Sequence, residues 1–577
     1  RRRDRILERL HDAGDLSDDE FERARSQPVR LARPQPAGGA EHLARALARG
    51  KLIQNVTAGE LREVTTTLDG NLQAEVEGLT QATMERLRAR DASAAAVLVI
   101  DNASREVLAY VGSPDFWSTK NLGQNDGTRA LRQPGSALKP FVYAAAMASL
   151  GYTPATLLPD VELHLPTPRG DYSPRNVDAQ FHGPVRLRQA LASSLNVPAV
   201  IAADRTGPDR VLRLLHRLGF SSLGQDASQY GAAIALGDGE VTLAELCAAY
   251  ATLANHGEYR ELAFVRGGKK ANRAEILLPE RPTSLALPPP LSRLVLDLLA
   301  DAAEREAGFG RNSVLELPFP VAVKTGTSKG YRDNWTIGSS SEVTVAVWVG
   351  NFDGRPMLRS SGVTGAGPLF HDVMLAAMKS RTPRDVVATS DLPSAEICPL
   401  SGALAGPHCP HHTRERFMPG TVPHERCSFH EAVDIVPASG LRAGPRCSGA
   451  VTRVFENYPE PYVSWALQAQ RPLAPTTFDP RCPGSLEASL ERETRAVVYP
   501  LDGAHFTFDA GLSAEQQRLV FRARGGRDDA LSFWLDDRVL GRADANRELA
   551  WPLARGKHRL HVESKGVRSE SIEFTVD

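Results

Sequence analysis

The sequence predicts a multidomain protein that contains an α+β domain with a large helical insert, a cysteine-rich linker and a small C-terminal β-sandwich. Three observations predict this organisation. The 577 residues exceed what one hydrophobic core accommodates. Apolar strand patterns at both ends of residues 60–385 enclose helical patterns, which is typical of an α+β layout. Short alternating strands separated by turn residues recur from residue 495 onward.

The composition is that of a folded protein. Hydrophobic residues make up 42% and charged residues 24% of the chain, which excludes an intrinsically disordered protein. The net charge of −1 gives no overall field that would attract nucleic acid, so we expect no nucleic-acid partner. The sequence has no signal peptide and no run of the ~18 apolar residues that span a bilayer. It begins without Met, and we expect it to be a fragment.

The first part of the chain predicts helices and then one sheet. Residues 1–50 predict short helices, and a new unit begins near residue 60 with a strand at Val64–Asp69 and a long helix. Helical patterns dominate to about residue 255. Four apolar strands lie on either side of them, at Ala95–Asp101, Glu106–Gly112, Val321–Gly326 and Val343–Val349. We expect these strands to share one sheet, with the first two forming a hairpin.

The last part of the chain differs in composition and periodicity. Residues 390–490 are rich in Pro and Cys and lack periodicity, which predicts a loop-rich linker module. Residues 495–577 predict an immunoglobulin-like β-sandwich of about 80 residues. Its predicted strands are Arg518–Arg524, Leu531–Leu535, His558–Glu563 and Ser571–Val576.

Three short motifs occur in a fixed order: Ser136-Ala-Leu-Lys139, Ser194-Leu-Asn196 and Lys324-Thr-Gly-Thr327. Each motif alone is common by chance. A Ser-x-x-Lys on a helix, for example, is usually a capping serine followed by a surface lysine. Together they form the signature of serine enzymes that are acylated by penicillin-like substrates. The set supplies a nucleophile, a base, a proton relay and an anion site, which acyl transfer through a serine ester requires.

The first motif predicts an activated nucleophile. Pro134 and Gly135 break the preceding loop and an apolar helix follows, so Ser136 is expected at or near a helix N-terminus. Ser136 and Lys139 are three residues apart and therefore share a helix face. A lysine acts as a general base when burial or a neighbouring cation lowers its pKa.

The third motif predicts an anion site that also supplies this cation. Lys324 follows an apolar run and is expected on a sheet strand, and Gly326 lets a substrate backbone approach. The hydroxyl groups of Thr325 and Thr327 suit a carboxylate.

Longer stretches around these motifs resemble the transpeptidase domain of class A penicillin-binding proteins. They are Arg132–Phe141, Tyr230–Gly237, Glu240–Glu245, Lys324–Ser328, Asp333–Trp335 and Val347–Asn351. The linker and terminal sandwich are similar to the C-terminal module of the 1C type in that family. Residues 1–50 resemble only the end of the glycosyltransferase domain that precedes the transpeptidase in the family. No Glu-Asp-x-x-Phe or Thr-Gln-Gln motif is present, so glycosyltransferase activity is not expected of this chain.

The resemblance implies a role for each residue of the first two motifs. Ser136 would be the acylated nucleophile and Lys139 its base. Ser194 would relay a proton to the leaving amine, and Asn196 would hold the amide of the peptide. The position between them is Leu195, where the signature has Asp, but the relay and the amide contact use the outer residues. The adjacent Ser193 is a weaker candidate for the relay because Ser-x-Asn needs a gap of two.

The third motif would bind the substrate. Lys324 would polarise the relay, and Thr325, Gly326 and Thr327 would form the substrate-binding strand that grips the terminal carboxylate. The backbone N–H groups of Ser136 and Thr327 would form the oxyanion hole.

The function implied is a D,D-transpeptidase of peptidoglycan synthesis. It would act on stem peptides and lipid-linked cell-wall precursors on the periplasmic side of the bacterial inner membrane, anchored by a helix upstream of this chain. β-Lactams would be covalent inhibitors, and the C-terminal module would bind a periplasmic protein. The alternatives are a D,D-carboxypeptidase, a β-lactamase, or a β-lactam-binding sensor or scaffold without turnover. No cofactor is expected.

The cysteines leave two readings open. Cys247 lies in an apolar helical stretch and is expected to be a buried core thiol. The other five, in or just after the linker, are Cys398, Cys409, Cys427, Cys447 and Cys482. An extracytoplasmic setting favours disulfides over a metal site, although an odd number leaves one thiol over. Zinc is the rival reading, because His411, His412 and His430 lie close in sequence. Tyr462 and Trp465 are expected to be core residues.

Overall fold

The computed structural model describes residues 2–26, 39–53, 60–162, 165–167, 170–276, 278, 280–389, 391–483, 485, 495–506, 517–525, 531–543, 547–564 and 567–577. Its N-terminal part contains the short helices α1 (Arg2–Asp12), α2 (Asp18–Ser26) and α3 (Glu41–Ala48). Within the described residues, every helix is too short or too polar to cross a membrane.

The elements between residues 60 and 389 form a mixed α/β unit. The strands are β1 (Leu61–Thr66), β2 (Ala94–Asp101), β3 (Val107–Val111), β4 (Leu157–Asp160), β5 (Leu165–Thr167), β6 (Gly170–Tyr172), β7 (Gly183–Arg186), β8 (Glu258–Tyr259), β9 (Val265–Lys270), β10 (Ser284–Leu285), β11 (Ala322–Thr327), β12 (Asp333–Ser339) and β13 (Val343–Gly350). The α-helices are α4 (Gly70–Leu87), α5 (Lys139–Leu150), α6 (Leu187–Ala192), α7 (Asn196–Thr206), α8 (Pro208–Arg217), α9 (Ala227–Tyr230), α10 (Leu243–Ala254), α11 (Pro289–Ala300), α12 (Ala302–Phe309) and α13 (Ala366–Met378). Short 3₁₀ helices occupy Arg88–Arg90, Gly135–Leu138 and Gly231–Leu236.

One antiparallel sheet with the order β11-β12-β13-β2-β3 forms the centre of this unit. Every residue of β13 is buried, because helices cover both faces of the sheet. Alternate residues of β2 pack in one core with α5, α10 and α11, and the residues between them pack in a second core with α4 and α13. The sheet confirms the prediction that strands from both ends of this region lie side by side around a helical insert.

Three features of this region differ from the prediction. The first strand ends at Thr66 and pairs with β9 outside the central sheet. β12 was not predicted as a strand, because its buried residues are largely polar and give no apolar run. The insert also contains the paired strands β4 and β7, and β5 and β6, where helices were expected.

The linker consists of two hairpins and a short helix. Its elements are β14 (Ser394–Ile397), β15 (Thr413–Arg416), β16 (His430–Ile435), β17 (Val451–Glu456) and α14 (Val463–Gln468). Small hydrophobic clusters hold it against the preceding unit; one contains Ala155, Ile397 and Phe417. Tyr462 is a core residue as predicted, and Trp465 packs against the same cluster.

The cysteines are divided between a disulfide and free thiols. Cys447 and Cys482 form a disulfide, and Cys247 is wholly buried as predicted, which raises the pKa of its thiol. The preference for disulfides is wrong for the other three linker cysteines, which are unpaired. The sulfur atoms of these three, Cys398, Cys409 and Cys427, and a ring nitrogen of His430 all lie within 4.8 Å of one another.

The C-terminal region is a small β domain. Its strands are β18 (Ala496–Tyr499), β19 (Ala504–Phe506), β20 (Arg518–Arg524), β21 (Ser532–Leu535), β22 (Arg538–Arg542), β23 (Glu548–Pro552), β24 (Gly556–Ser564), β25 (Val567–Arg568) and β26 (Ile572–Val576). They form a sheet with the order β18-β20-β23 and a second sheet with the order β19-β26-β24-β21-β22, with β25 paired to β24. Phe521, Phe533, Trp551 and Phe574 share one core. The four predicted strands are present as β20, β21, β24 and β26.

Candidate active site

Ser136 lies in the 3₁₀ turn Gly135–Leu138, directly before α5. This turn packs against β11 with almost no space between the backbones. A Cβ added at Gly326 would lie 2.2 Å from the Pro134 carbonyl oxygen, and one added at Gly135 would lie 2.4 Å from that of Thr327. Gly135 also has a φ of +55°, in the left-handed region that favours glycine. The glycines therefore allow the first and third motifs to touch.

Two buried aromatic side chains hold this turn in place. The indole Nε1–H of Trp335 donates to the Gln133 carbonyl at 2.8 Å, and the Tyr250 hydroxyl donates to the Ala137 carbonyl at 2.8 Å. Both side chains are almost fully enclosed. Sequence reasoning missed this role because both residues have the pattern of ordinary core residues.

Lys139 is completely buried at the start of α5. Its Nζ donates to the carbonyl oxygens of Ser194 (2.7 Å) and Leu195 (2.9 Å) and to Asn196 Oδ1 (2.7 Å). Burial, and secondly the charge of Lys324, lower the pKa of Lys139 well below its ordinary value. The structure therefore joins the first motif to the second through this ammonium group.

Ser194 joins the second motif to the third. It lies in the turn between α6 and α7 with a φ of +59°, a conformation that non-glycine residues seldom adopt. Its Oγ accepts a hydrogen bond of 2.7 Å from Lys324 Nζ, which also donates to the Thr325 carbonyl at 2.9 Å. Burial, and secondly the charge of Arg305, lower the pKa of Lys324 to about 7. The neighbouring Ser193 donates its hydroxyl to the Glu304 carbonyl instead.

Asn196 is held by a buried polar network that the sequence did not reveal. Its Nδ2 donates to the Arg175 carbonyl and its backbone N–H donates to Asn176 Oδ1, both at 2.8 Å. Asn176 Nδ2 in turn donates to both carboxylate oxygens of Asp160 at 2.8 Å. His182 Nδ1 lies 2.6 Å from the same carboxylate, which raises the pKa of His182. No motif spacing connects these residues, so only the fold shows that they meet.

The threonines of the third motif lie along β11 beside a loop. Thr327 Oγ1 accepts a hydrogen bond of 2.9 Å from the Gly362 backbone N–H. The buried Thr325 contacts the same loop, since its Cβ is 3.0 Å from where a Cβ on Gly362 would be. The backbone of Thr327 lies against Gly135, so the two amides expected to form an oxyanion hole come from adjoining segments.

The arrangement brings all three motifs into one site with two buried lysines. The contact between Lys139 and Ser194 runs through the Ser194 carbonyl oxygen, while the Ser194 hydroxyl faces Lys324. Such a site is able to take a proton from a serine, pass it on through a hydroxyl and stabilise negative charge nearby.

Comparison with known families agrees with this geometry. A family profile described as the penicillin-binding protein transpeptidase domain matches residues 95–375. Two further profiles match the C-terminal part: the penicillin-binding protein 1A C-terminal domain at residues 389–432, and the penicillin-binding protein C-terminus family at residues 485–574.

Curated relatives match over much of the chain. Penicillin-binding protein 1C of Escherichia coli (strain K12) is 33% identical over 385 residues, which are 66% of this chain and 46% of the relative. Penicillin-binding protein 1A of Aquifex aeolicus (strain VF5) is 33% identical over 336 residues, 57% of this chain and 44% of the relative. The chain thus spans less than half the length of these relatives.

A solved structure shares the fold. The 2.6 Å crystal structure of penicillin-binding protein 1A from Haemophilus influenzae superposes with a TM-score of 0.56 at 18% identity, over 74% of this chain and 82% of that one. The fold, the profiles and the relatives confirm the resemblance drawn from the motifs. The chain therefore carries a penicillin-binding protein transpeptidase domain followed by C-terminal modules of the same family.

Proposed function

We propose that this chain is a serine D,D-transpeptidase of peptidoglycan synthesis. Ser136 attacks the carbonyl carbon between the two terminal D-alanines of a stem peptide, and the acyl group passes to the amine of a neighbouring strand. β-Lactams acylate the same serine. The observation that supports this most directly is the convergence of two buried lysines, Lys139 and Lys324, on Ser194 beside the turn that carries Ser136.

The proposed first half-reaction moves one proton and breaks one bond. Ser136 Oγ bonds to the carbonyl carbon as its proton passes to Lys139, whose lowered pKa supports the neutral form that a base requires. The C–N bond then breaks, and the leaving D-alanine amine receives the proton through the hydroxyl of Ser194. Lys324 donates to that hydroxyl and so stabilises negative charge on its oxygen as the proton moves.

The proposed second half-reaction runs in the opposite direction. The acceptor amine bonds to the ester carbonyl carbon and gives up a proton to the same relay. The bond between that carbon and Ser136 Oγ then breaks, the new amide is released, and Ser136 recovers its hydroxyl proton. The backbone N–H groups of Ser136 and Thr327 stabilise the oxyanion in both halves. Thr325, Gly326 and Thr327 bind the terminal carboxylate, and Asn196 orients the amide of the peptide.

The proposal extends to location and partners. We place the reaction on the periplasmic side of the inner membrane, with lipid-linked cell-wall precursors as its substrates and a periplasmic protein as the partner of the C-terminal module. We assign no glycosyltransferase step to this chain. The proposed units are residues 1–50, 60–385, 390–490 and 495–577, the last an immunoglobulin-like sandwich.

Labelling with a fluorescent penicillin tests the nucleophile. The unmodified chain should form a covalent band on a denaturing gel, and Ser136→Ala should form none. Ser193→Ala is the matched control and should keep the band, because the Ser193 hydroxyl donates to the Glu304 carbonyl, whereas Lys324 donates to Ser194. A band that persists in folded Ser136→Ala would refute the assignment.

A donor substrate tests whether an amine or water attacks the acyl-enzyme. A peptide or thioester donor should be consumed with formation of a cross-linked product when an acceptor amine is present. Release of the hydrolysed donor alone would indicate a D,D-carboxypeptidase. Acylation without any turnover would indicate a β-lactam-binding sensor or scaffold.

A further inference from the structure

Four side chains of the types that ligate metals converge in the linker, far from Ser136 in sequence. They are Cys398, Cys409, Cys427 and His430, and their ligand atoms all lie within 4.8 Å of one another. His430 Nδ1 is 3.4 Å from Cys427 Sγ and 3.6 Å from Cys398 Sγ. We propose that these four residues bind a structural Zn²⁺ ion.

The separations suit a tetrahedral zinc site. With Zn–S bonds of about 2.3 Å and Zn–N bonds of about 2.0–2.1 Å, a tetrahedron places sulfur and nitrogen ligands about 3.6 Å apart. The sulfur atoms of Cys427 and Cys398 lie 3.4 and 3.6 Å from His430 Nδ1, close to this value. Three thiolates with one imidazole form the Cys₃His set of structural zinc sites, and soft thiolate ligands select zinc over Mg²⁺ or Ca²⁺.

Local backbone hydrogen bonds place each cysteine. Cys398 follows β14 and begins a tight turn in which the Gly402 N–H donates to the Cys398 carbonyl at 2.9 Å. The Gly406 N–H donates to Cys409 Sγ at 3.3 Å, so this sulfur already accepts a bond that stabilises a thiolate. The Cys427 N–H donates to the Leu404 carbonyl at 2.8 Å, which ties the third cysteine to the first loop.

A disulfide reading explains this cluster less well. Any pair formed among three thiols would leave one thiol and the imidazole without a partner. The true disulfide of the linker joins Cys447 to Cys482. The hydrophobic clusters of the linker are small, and such a module gains much of its stability from a metal or a crosslink.

The proposed ion would stiffen a segment that supports the active site. The loop after Cys398 packs directly on the transpeptidase domain: the carbonyl of Pro399 accepts from Arg186 Nε at 3.2 Å, and a Cβ at Gly402 would meet the Ala155 carbonyl at 1.9 Å. Arg186 caps α6, and the turn with Ser194 follows that helix. The role of the ion is therefore structural, and any effect on acylation is indirect.

The test begins with the metal itself. The full chain, purified without chelators, should contain about one zinc per molecule by elemental analysis. Co²⁺ added to the metal-free, reduced chain should produce the sulfur-to-cobalt charge-transfer band and the visible bands of a tetrahedral thiolate site. This spectrum needs no variant, so it remains informative if substitutions prevent folding.

Substitutions then assign the ligands. Cys409→Ser and Cys427→Ser should each weaken zinc binding by more than the roughly 10- to 100-fold that loss of an outer partner costs. Cys247→Ala is the matched control, a cysteine outside the cluster, and should keep the zinc. The proposal fails if the unmodified chain holds no zinc or gives no tetrahedral cobalt spectrum. It also fails if mass spectrometry finds a disulfide within the cluster, or if both serine variants keep full zinc content.

Discussion

At the scale of single residues, Lys139 shows how burial changes chemistry. Its ammonium group is wholly enclosed, and the nearby Lys324 adds a second positive charge. Both effects favour the neutral amine, while Asp160 opposes them. Burial and the neighbouring charge thus both favour loss of the Lys139 proton, as the proposed role of general base requires.

The pH dependence of acylation follows from this environment. Acid protonates Lys139 and so removes the proposed base, and the rate of acylation by penicillin should therefore fall along a single limb as the pH is lowered. Stopped-flow or quenched labelling over a pH series measures this, with circular dichroism as the control for folding. A constant rate from about pH 5 to pH 9 would contradict the role of Lys139.

Motif spacing predicted Ser136, Lys139, Ser194 and Lys324. Hydrogen bonds connect the last three in the structure, and Ser136 lies in the turn directly before Lys139. Motif spacing did not predict the contact between Asp160 and Asn176, because it depends on the pairing of two strands of the insert. A residue that supports a functional group through the fold leaves no local pattern in the sequence.

At the scale of elements, the decisive contact is between β11 and the turn Gly135–Leu138, which carries Ser136. The two backbones approach so closely at Gly326 that no side chain fits there. The same strand carries Lys324, so the packing of this one strand sets the distance between the two lysines. The apolar run before Lys324 predicted β11, whereas its polar neighbour β12 was missed although every residue of β12 is buried.

Gly326→Ala tests this packing. A methyl group there would lie 2.2 Å from the Pro134 carbonyl oxygen, so we expect a loss of stability of about 1–3 kcal/mol and a large fall in the acylation rate. Thermal unfolding and penicillin labelling measure the two effects. Gly267→Ala is the matched control, because Gly267 also lies on a strand but has open space around its Cα. If both variants had the same thermal stability and the same acylation rate, the close approach of the backbones at Gly326 would be unimportant for both properties.

At the scale of the whole molecule, buried ion pairs join the linker to the transpeptidase domain. Glu415 of β15 is 1% exposed, and its carboxylate accepts hydrogen bonds of 2.6 to 3.1 Å from Arg188 and one of 3.4 Å from Arg186. Arg188 also pairs with Asp297 and Asp301. Each acidic partner of Arg188 lies more than 100 residues from it in the chain, so sequence patterns could predict the linker but not its docking.

Glu415→Gln should loosen this docking. Removing one charge of a buried pair costs roughly 3–5 kcal/mol, and we expect about 3 kcal/mol because Asp297 and Asp301 still compensate Arg188. Chemical unfolding measures the change. Glu573→Gln is the control, because its pair with Arg559 is exposed on both sides and should contribute little. A stability equal to that of the unmodified chain would contradict the docking described.

The central sheet has a consequence for how the protein is made. Asp101 on β2 pairs with Val343 on β13, so 242 positions separate two neighbours in the sheet. Contacts between such distant parts of a chain slow folding, because a long loop must close before they form. A ribosome has to deliver β13 before the strand that carries Lys324 has a sheet to join. The proposed nucleophile Ser136 is therefore synthesised long before the sheet beside it, and the site assembles only after β13 has been made.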